Sequence, residues 1–339
     1  AVVQSDNAYA VSVSADFTRS SFGLTGGQAR AAGHLQDIWD AGGGPFGPLF
    51  AALANGNLSA YAGALSSLTT EAVNAPAAEN LSLTRQHLDR LMSCPHFEGT
   101  GSMVIQGDCV WALAGGQTFD QSAFDDASGY GDTVYSYALG GQKEIAPGWF
   151  LGFAAGYDSS RIVSDGGTFT ADGDTFSGGL SLKHEVGPWL LAAAVTGSFA
   201  TFDTSRAAII GPVGGIATSS QDLSGFGGRL RAAYTLPLNG YYLRPFLDVD
   251  LIYTDAGAYA ETGAGLLDRD VAASSNWVAL ATPSLEIGAR FDIGTDYVLR
   301  GYARGGVAFA SLDDWTSQTR LSVASSASAA STSSCRWAT

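Results

Sequence analysis

The chain has 339 residues, of which 14% are charged, against about 25% in a typical soluble domain. Its 44 glycines and its 11% aromatic content favour β-structure in lipid over a cytosolic enzyme. The formal net charge of −15 excludes a nucleic-acid partner, because there is no basic stripe to meet phosphates.

No stretch of about 18 residues is continuously apolar, which excludes a transmembrane helix. Any segment that spans a membrane must then belong to a closed β-barrel, because lipid offers no partner to an unpaired backbone group. The chain begins at Ala1 without a secretory signal. We therefore expect a fragment or a processed form whose export signal lies upstream.

The first predicted element is a strand over residues 9–17, where apolar and polar residues alternate. It is too short to form a core alone. We therefore predict that residues 1–23 are the remnant of a domain that ends here.

Residues 24–100 have a helical pattern instead. Thr25 and Gln28 match a capping box, and the glycines at 42–44 end the helix that it opens. Spaced leucines predict further helical pieces over residues 49–53, 58–68 and 81–92.

Cys94 and Cys109 lie between the helical region and the first strong strand. In an exported protein these two cysteines can pair and close a short loop, so we predict a disulfide. Two free thiols are the alternative.

From residue 107 to 311 the strands carry charge on one face only. In residues 241–253, Leu243 and Leu247 share one face, while Arg244 and Asp248 share the other. Charged side chains are rarely buried without partners, so the charged face must meet water. In a membrane barrel that water fills the lumen and the apolar face meets lipid.

Two further features favour the membrane barrel over a soluble one. Tyr or Phe recurs at the strand ends, as the aromatic belts of a membrane barrel require. The connections also alternate between tight turns, such as 146–148 and 186–188, and long polar loops. Those loops are predicted over 158–174, 201–222 and 254–276. We predict an all-β transmembrane antiparallel up-and-down barrel with about nine strands, preceded by an α-helical linker.

Several short motifs occur in a specific order. They are Leu24-Thr25-x-x-Gln28-Ala29, Tyr61-Ala62-x-x-Leu65-x-x-Leu68, Cys94-Pro-x-Phe97 before Cys109-Val-Trp111, Gly179-Leu-Ser-Leu, and Tyr242-Leu-Arg-Pro-Phe246 before Glu261-Thr-Gly-Ala264. No single motif is strong. Their order over residues 20–320 resembles the translocator domain of bacterial autotransporters, the type V secretion family.

The resemblance implies a barrel of about twelve strands whose pore holds an α-helix, with a secreted passenger upstream. It implies that residues 24–100 are the linker and pore helix and that residues 107–311 are the barrel. The pore helix is expected at or near residues 81–92. Its contacts with the lumen are expected from Arg85 and Arg90 on the helix and from Arg229, Arg231, Arg244, Asp248, Asp250, Glu286, Arg300 and Arg304 on the strands.

The end of the chain departs from this pattern. About three strands are missing from the implied twelve, and single-chain bacterial barrels have an even number. Residues 312–339 are rich in Ser and Ala and end at Thr339 rather than at an aromatic residue. We expect an aberrant low-complexity tail, from a frameshift or a truncated gene, which places closure of the barrel in doubt.

We therefore predict a translocator domain that carries an upstream passenger across the outer membrane of a Gram-negative bacterium and anchors it there. The expected partners are outer-membrane lipid, the passenger, the barrel assembly machinery and periplasmic chaperones. One alternative is a porin-like or adhesin-type outer-membrane β-barrel without a passenger. A soluble β-rich binding protein is the other.

Enzyme signatures are absent from the sequence. It contains no Gly-x-Ser-x-Gly, His-Glu-x-x-His or phosphate-binding loop pattern. Its four histidines are scattered along the chain. We predict no enzyme activity, no cofactor and no metal site.

Overall fold

A computed structural model of the chain describes residues 2–5, 8–11, 14–54, 56–69, 74–122, 129–293, 297–311, 314–321 and 330–336. Its main body is an antiparallel sheet of long strands that curls around one helix. A group of three helices packs at one end of that sheet.

The chain begins with two short strands, β1 (Val2–Ser5) and β2 (Ala8–Val11), which pair antiparallel. The strand predicted over residues 9–17 therefore ends at Val11. Residues 12 and 13 of that prediction lie outside the described residues, and residues 14–17 are not in a strand.

Four α-helices follow. They are α1 (Gly26–Asp40), α2 (Gly47–Ala54), α3 (Leu58–Leu68) and α4 (Ala75–Leu91). The capping box before α1 is confirmed: the Gln28 amide N–H donates to the Thr25 hydroxyl, and the Thr25 N–H donates to the Gln28 side chain. Among the described helices, none is both long enough and apolar enough to cross a membrane.

Helix α4 begins at Ala75, well before the predicted start at residue 81. The missed signal is Pro76, which stands in the first turn. Proline suits this position because the N–H that it lacks would have no partner inside the helix, and its φ is already helical.

After α4, the strands β3 (Pro95–Phe97) and β4 (Val104–Gln106) form a small hairpin. Nine long strands make the main sheet: β5 (Cys109–Gln121), β6 (Tyr130–Ala146), β7 (Trp149–Ser164), β8 (Phe169–Val186), β9 (Trp189–Ile210), β10 (Val213–Tyr234), β12 (Tyr241–Ala256), β15 (Ser274–Ile293) and β16 (Tyr297–Gly306). The shorter strands are β11 (Leu236–Pro237), β13 (Tyr259–Ala260), β14 (Arg269–Val271), β17 (Phe309–Ala310), β18 (Asp314–Leu321) and β19 (Ala330–Arg336).

Each long strand pairs antiparallel with the next one in sequence, from β5 at one edge to β16 at the other. This confirms the predicted up-and-down order and the count of about nine strands. Within the described part of the chain, β5 and β16 do not pair with each other. The strands β18 and β19 of the predicted tail join a separate small sheet with β13 and β14.

The convex face of the sheet is apolar and the concave face is polar. Leu230, Leu247 and Leu285 are 63%, 43% and 50% exposed on the outside. Their neighbours Arg229 and Asp250 are buried on the inside. The predicted orientation of the two faces is therefore confirmed.

Two rows of aromatic side chains border the apolar band. At one end Trp149 stacks on His184 and Trp189 packs on Tyr234; this end carries the two-residue connections 147–148 and 187–188, and we call it the turn end. At the opposite end, the loop end, the register places Tyr137, Tyr157, Phe176 and Phe199 side by side on four strands. The strand from Trp189 to Phe199 rises about 33 Å, enough to cross a bilayer at the tilt of a barrel strand.

Two of the three predicted long loops are instead strand. β7 ends only at residue 164 and β8 begins at residue 169. β9 ends at residue 210 and β10 begins at residue 213, with a two-residue turn between them. Beyond Phe199 the outward residues become polar, as at Thr201 and Asp203, and this change resembles a loop in the sequence. The strands continue because their backbones stay paired and their inner faces stay packed.

The extension of β9 and β10 beyond the aromatic row carries α1, α2 and α3. Leu35, Leu49 and Leu65 of these helices pack against Ile210 of β9 and Leu267 of the 257–273 connection. This cluster gives the helices a core separate from the lumen, and we call the unit of α1 to α3 the helical cap.

Candidate functional site

Helix α4 runs through the lumen from the loop end to the turn end. At its start, Ala77 packs with Ile162 and Phe202 near the loop ends of β7 and β9. At its end, Leu88 and Leu91 pack with Ala154 and Ala194, nearer the turn end. The chain that follows α4 then enters β5 at the turn end, so α4 is threaded through the curled sheet.

Small residues on the wall make room for α4. A Cβ on Gly225 would lie 2.3 Å from the Ser198 hydroxyl oxygen and 2.6 Å from that of Thr84 on α4. The Thr84 and Ser198 hydroxyls are themselves hydrogen bonded at 2.9 Å. Real Cβ atoms do not approach other atoms so closely, so a side chain at position 225 would force Ser198, Thr84 or Asn80 to move.

Arg90 makes the most enclosed ion pair between the helix and the wall. Its guanidinium donates to both oxygens of Asp158 on β7, at 2.7 and 3.1 Å, and to the Ser136 hydroxyl on β6 at 2.8 Å. Arg90 and Asp158 are both buried. A bidentate, charge-assisted pair of this kind fixes both the height and the rotation of a helix.

Asp89 is the helix partner of two wall arginines. Its carboxylate accepts hydrogen bonds from Arg229 and, at 3.4 Å, from Arg231. On the wall, Arg229 is bidentate to Asp250 at 2.6 and 2.8 Å, and Arg231 is bidentate to Asp248 at 2.6 Å for both bonds. These side chains form a network that joins α4 to β10 and β12.

Arg85 approaches the same network from one turn earlier on α4. Its Nε lies 3.5 Å from the Asp250 carboxylate, and its Nη2 donates to the Thr282 hydroxyl at 3.0 Å. The side chain of Arg85 is about one-third exposed, so this pair is more accessible to water than the pair of Arg90.

The remaining wall residues lie closer to one another than to the helix. Glu286 accepts from the Tyr242 hydroxyl at 2.8 Å, from Arg300 at 3.4 Å and from Arg304 at 3.0 Å. Arg304 comes no nearer than 4.0 Å to Asp89. Arg244, predicted to contact the helix, has a buried Nε without a hydrogen-bond partner among the described residues.

The ten predicted contact residues therefore fall into two groups. Arg85, Arg90, Arg229, Arg231, Asp250 and Arg304 lie in ion pairs between α4 and the wall, while Asp248, Arg244, Glu286 and Arg300 lie behind them. Sequence reasoning missed Asp89 and Asp158. Asp158 lies four positions after Ala154 on β7, so both side chains are on the inner face of the sheet. This alternation could have predicted Asp158 as a lumen residue.

A second polar cluster fixes the chain where it leaves the helical cap. Arg206 on β9 pairs with Glu261, and it also donates to the Ser67 carbonyl at 3.0 Å. Arg269 donates to the carbonyls of Ser67 and Thr69 at 3.2 and 3.0 Å. These carbonyls are at the C-terminal end of α3, where cations stabilise the free acceptors and the helix dipole.

Tyr61 ties the cap to the preceding segment. Burial, with a smaller contribution from the Asp16 carboxylate, raises the pKa of Tyr61 to about 12. The hydroxyl therefore stays protonated at neutral pH and donates to the Phe17 carbonyl at 2.8 Å.

Cys94 and Cys109 form a disulfide in the structure, with a Cα–Cα distance of 5.9 Å. The bond links the segment after α4 to the first residue of β5. Nearby, Lys183 of β8 donates to the Ser93 carbonyl and to Gln106. The segment that follows α4 at the turn end is thus joined to the wall both by a disulfide and by hydrogen bonds.

Comparison with known proteins gives one family match. A family model described as the autotransporter beta-domain matches residues 110–336, which includes most of the predicted tail. No match was found among curated protein sequences.

Among solved structures, the translocator domain of the autotransporter NalP from Neisseria meningitidis is similar, with a TM-score of 0.50 and 14% identity. The alignment covers 75% of this chain and 86% of that one. The beta domain of the Bordetella autotransporter BrkA aligns with a TM-score of 0.46 and 18% identity, over 68% of this chain and 94% of that one. At such identities the NalP similarity supports the fold.

Proposed function

The chain belongs to the autotransporter β-domain family, whose model matches residues 110–336, and we propose that α4 is the segment that plugs its pore once the passenger has crossed. Membership confirms the resemblance predicted from the sequence. It also confirms the translocator function and the outer-membrane location. The turn end then faces the periplasm and the loop end faces outward.

The position of α4 is the observation that carries the proposal. The chain enters the lumen at the outer end, descends as α4, and joins β5 at the periplasmic end. A passenger attached upstream of residue 14 would therefore lie outside, while the barrel stays in the membrane. The ion pairs of Arg90 with Asp158 and of Asp89 with Arg229 would hold the helix after transit.

We assign residues 1–23 to the end of the passenger, residues 24–100 to the linker and pore helix, and residues 107–311 to the barrel. Residues 312–339 we regard as an appended tail. We propose no enzymatic step, since threading and anchoring need only a polar lumen and an apolar outer face. Insertion would require the barrel assembly machinery and periplasmic chaperones, because the apolar outer band must not meet water on the way.

An accessibility experiment tests the direction of threading. An epitope is added upstream of Ala1, and a matched control epitope is inserted between Pro147 and Gly148 in a periplasmic turn. In intact cells, external protease should remove the first epitope and spare the second. If the upstream epitope is protected while the barrel is in the outer membrane, the proposed function is wrong.

A conductance experiment separates a plugged translocator from an open porin. In planar bilayers the full chain should conduct little, and a variant without residues 24–92 should conduct severalfold more. Arg90→Gln combined with Asp89→Asn, which leaves the helix present but weakly held, should give intermittent openings. Equal conductance in all three proteins would support the porin alternative.

A further inference from the structure

The segment between α4 and β5 determines how far α4 can move along the lumen. Cys94 and Cys109 are 15 positions apart in the chain. A fully extended chain spans at most about 3.3–3.6 Å per residue, so this segment could reach about 50 Å. The membrane-spanning part of a strand is only about 33 Å long. The peptide chain alone would therefore let the end of α4 travel the whole length of the lumen.

The disulfide removes most of that reach. With the bond closed, the Cα atoms of Cys94 and Cys109 are 5.9 Å apart. Cys109 is the first residue of β5 and pairs with Gln142 of β6, so Cys94 is held at the wall. Leu91, the last residue of α4, lies three positions before Cys94, which adds at most about 11 Å of chain.

The hairpin between the two cysteines holds the rest of the segment at the turn end. Val104 is buried, and its carbonyl accepts from the Thr235 hydroxyl at 3.4 Å. The Gln106 N–H donates to both oxygens of the Glu185 carboxylate, at 3.2 and 3.0 Å. A single hydrogen bond of this kind contributes about 0.5–1.5 kcal/mol. A pull on the chain could break these bonds one at a time, but it would not break the disulfide.

The contacts of α4 with the wall at this end are also non-covalent. Ser181 of β8 donates to the Leu91 carbonyl at 3.1 Å, and Lys183 of β8 donates to the Ser93 carbonyl. The chain upstream of α4 leaves the lumen at the loop end, so an outward pull on it acts on these hydrogen bonds and on the ion pairs of the helix. Once those contacts break, the disulfide is what limits further movement.

We propose that Cys94 and Cys109 are positioning residues whose disulfide stops the outward movement of the chain while α4 is still inside the lumen. The ion pairs of α4 determine its preferred position, and the disulfide determines the furthest position that it can reach. Only the role of α4 as the segment that closes the pore is taken from the proposed function.

The size of the effect follows from the length of the tether. Reduction lengthens the link between Leu91 and Cys109 from about 4 residues to about 18. The effective concentration of a tethered group falls roughly as the −3/2 power of the tether length. Displaced positions of α4 should therefore become about tenfold more populated relative to its closed position.

The test compares oxidised and reduced protein in planar bilayers. It uses the Asp89→Asn and Arg90→Gln variant, because weakened ion pairs let the tether decide the position of α4. Dithiothreitol breaks the disulfide, leaves thiols on Cys94 and Cys109, and itself becomes a cyclic disulfide. The ratio of open time to closed time should then rise about tenfold, and the open conductance should approach that of the variant without residues 24–92.

Two further variants in the same background separate tether length from other effects. Cys94→Ser combined with Cys109→Ser should match the reduced protein and should not respond to dithiothreitol. Because this variant keeps Cys335, it also controls for any effect of the reductant at that residue. Deleting residues 96–106 from it shortens the link again without a disulfide, and the open-to-closed ratio should return to within about threefold of the oxidised value.

An open-to-closed ratio that reduction leaves unchanged overturns the proposal. So does a folded shortened variant that stays as open as the reduced protein, because the hairpin contacts rather than the tether would then hold α4. Far-ultraviolet circular dichroism checks that this variant folds, and the reduction experiment decides without it. If deleting residues 24–92 raises the conductance but reduction has no effect, only this proposal fails. A full chain that conducts as well as that deletion variant contradicts the proposed function instead.

Discussion

Asp158→Asn removes the charge from the most enclosed contact between α4 and the wall. Asp158 is fully buried and accepts two hydrogen bonds from Arg90, while Ser136 donates to it as well. The substitution leaves the Arg90 guanidinium charged and buried without a carboxylate. Breaking a buried pair in this way costs about 3–5 kcal/mol.

We expect the lower end of that range, about 3 kcal/mol, because Arg90 borders a cavity of ≈ 490 Å³ that is open to solvent. This loss of unfolding free energy corresponds to roughly a hundredfold change in the folding equilibrium. The assay is urea unfolding in lipid vesicles, followed by tryptophan fluorescence. The matched control is Asp172→Asn, which breaks the exposed pair of Arg161 and Asp172 and should cost at most about 1 kcal/mol.

A double-mutant cycle then isolates the pair itself. Arg90→Gln together with Asp158→Asn removes both charges and should be less destabilising than the sum of the single changes. The reasoning is refuted if Asp158→Asn costs no more than Asp172→Asn, or if the cycle gives no coupling beyond that of the exposed pair.

Three further outcomes are expected. Gly225→Ala should destabilise the protein by about 1–3 kcal/mol, because the new Cβ would overlap Thr84 on α4. Gly228→Ala is the control and should be close to neutral in the same urea assay, because its Cβ would come no nearer than 3.9 Å to the Ala194 carbonyl oxygen. Leu230→Arg, in the middle of the apolar band, should lower the free energy of unfolding by about 2–4 kcal/mol. Ile216→Arg, similarly exposed but beyond the aromatic row, should lower it by less than about 1 kcal/mol. Equal losses would contradict the assigned position of the membrane. Arg85→Gln should cost at most about 1 kcal/mol, since its pair with Asp250 is partly exposed, and a loss as large as that of Asp158→Asn would show that exposure does not decide these energies.

The alternation of residues along the strands predicted the faces of the sheet well. In β12 the parity of Leu243 and Arg244 is enough to assign outside and inside, because successive side chains of a strand point to opposite faces. The capping box at Thr25 and the tight turn at Gly148 were equally local signals, and both are present. Such features depend on a few neighbouring residues only.

The partners across the lumen could not be predicted in this way. They depend on the height and rotation of α4, which packing against the whole wall determines. Arg90 therefore meets Asp158 rather than the expected acids of β12 and β15. The extension of β9 was missed for a related reason: its outward face turns polar at Thr201, while the helical cap covers its inward face.

The height of the β9–β10 hairpin affects how the protein presents whatever precedes it. From Thr201 to Ile210 the strand extends about 30 Å along its own axis, which at the tilt of a barrel strand is roughly 20–25 Å above the membrane boundary. The helical cap packs on its tip through Leu35, Leu49 and Leu65. A passenger joined upstream would thus be held at the tip of a paired hairpin, above the membrane, rather than at the mouth of the pore. The length of that hairpin would set the distance between the passenger and the bilayer. Shortening β9 and β10 by equal numbers of residues should therefore reduce that distance and leave the pore unchanged.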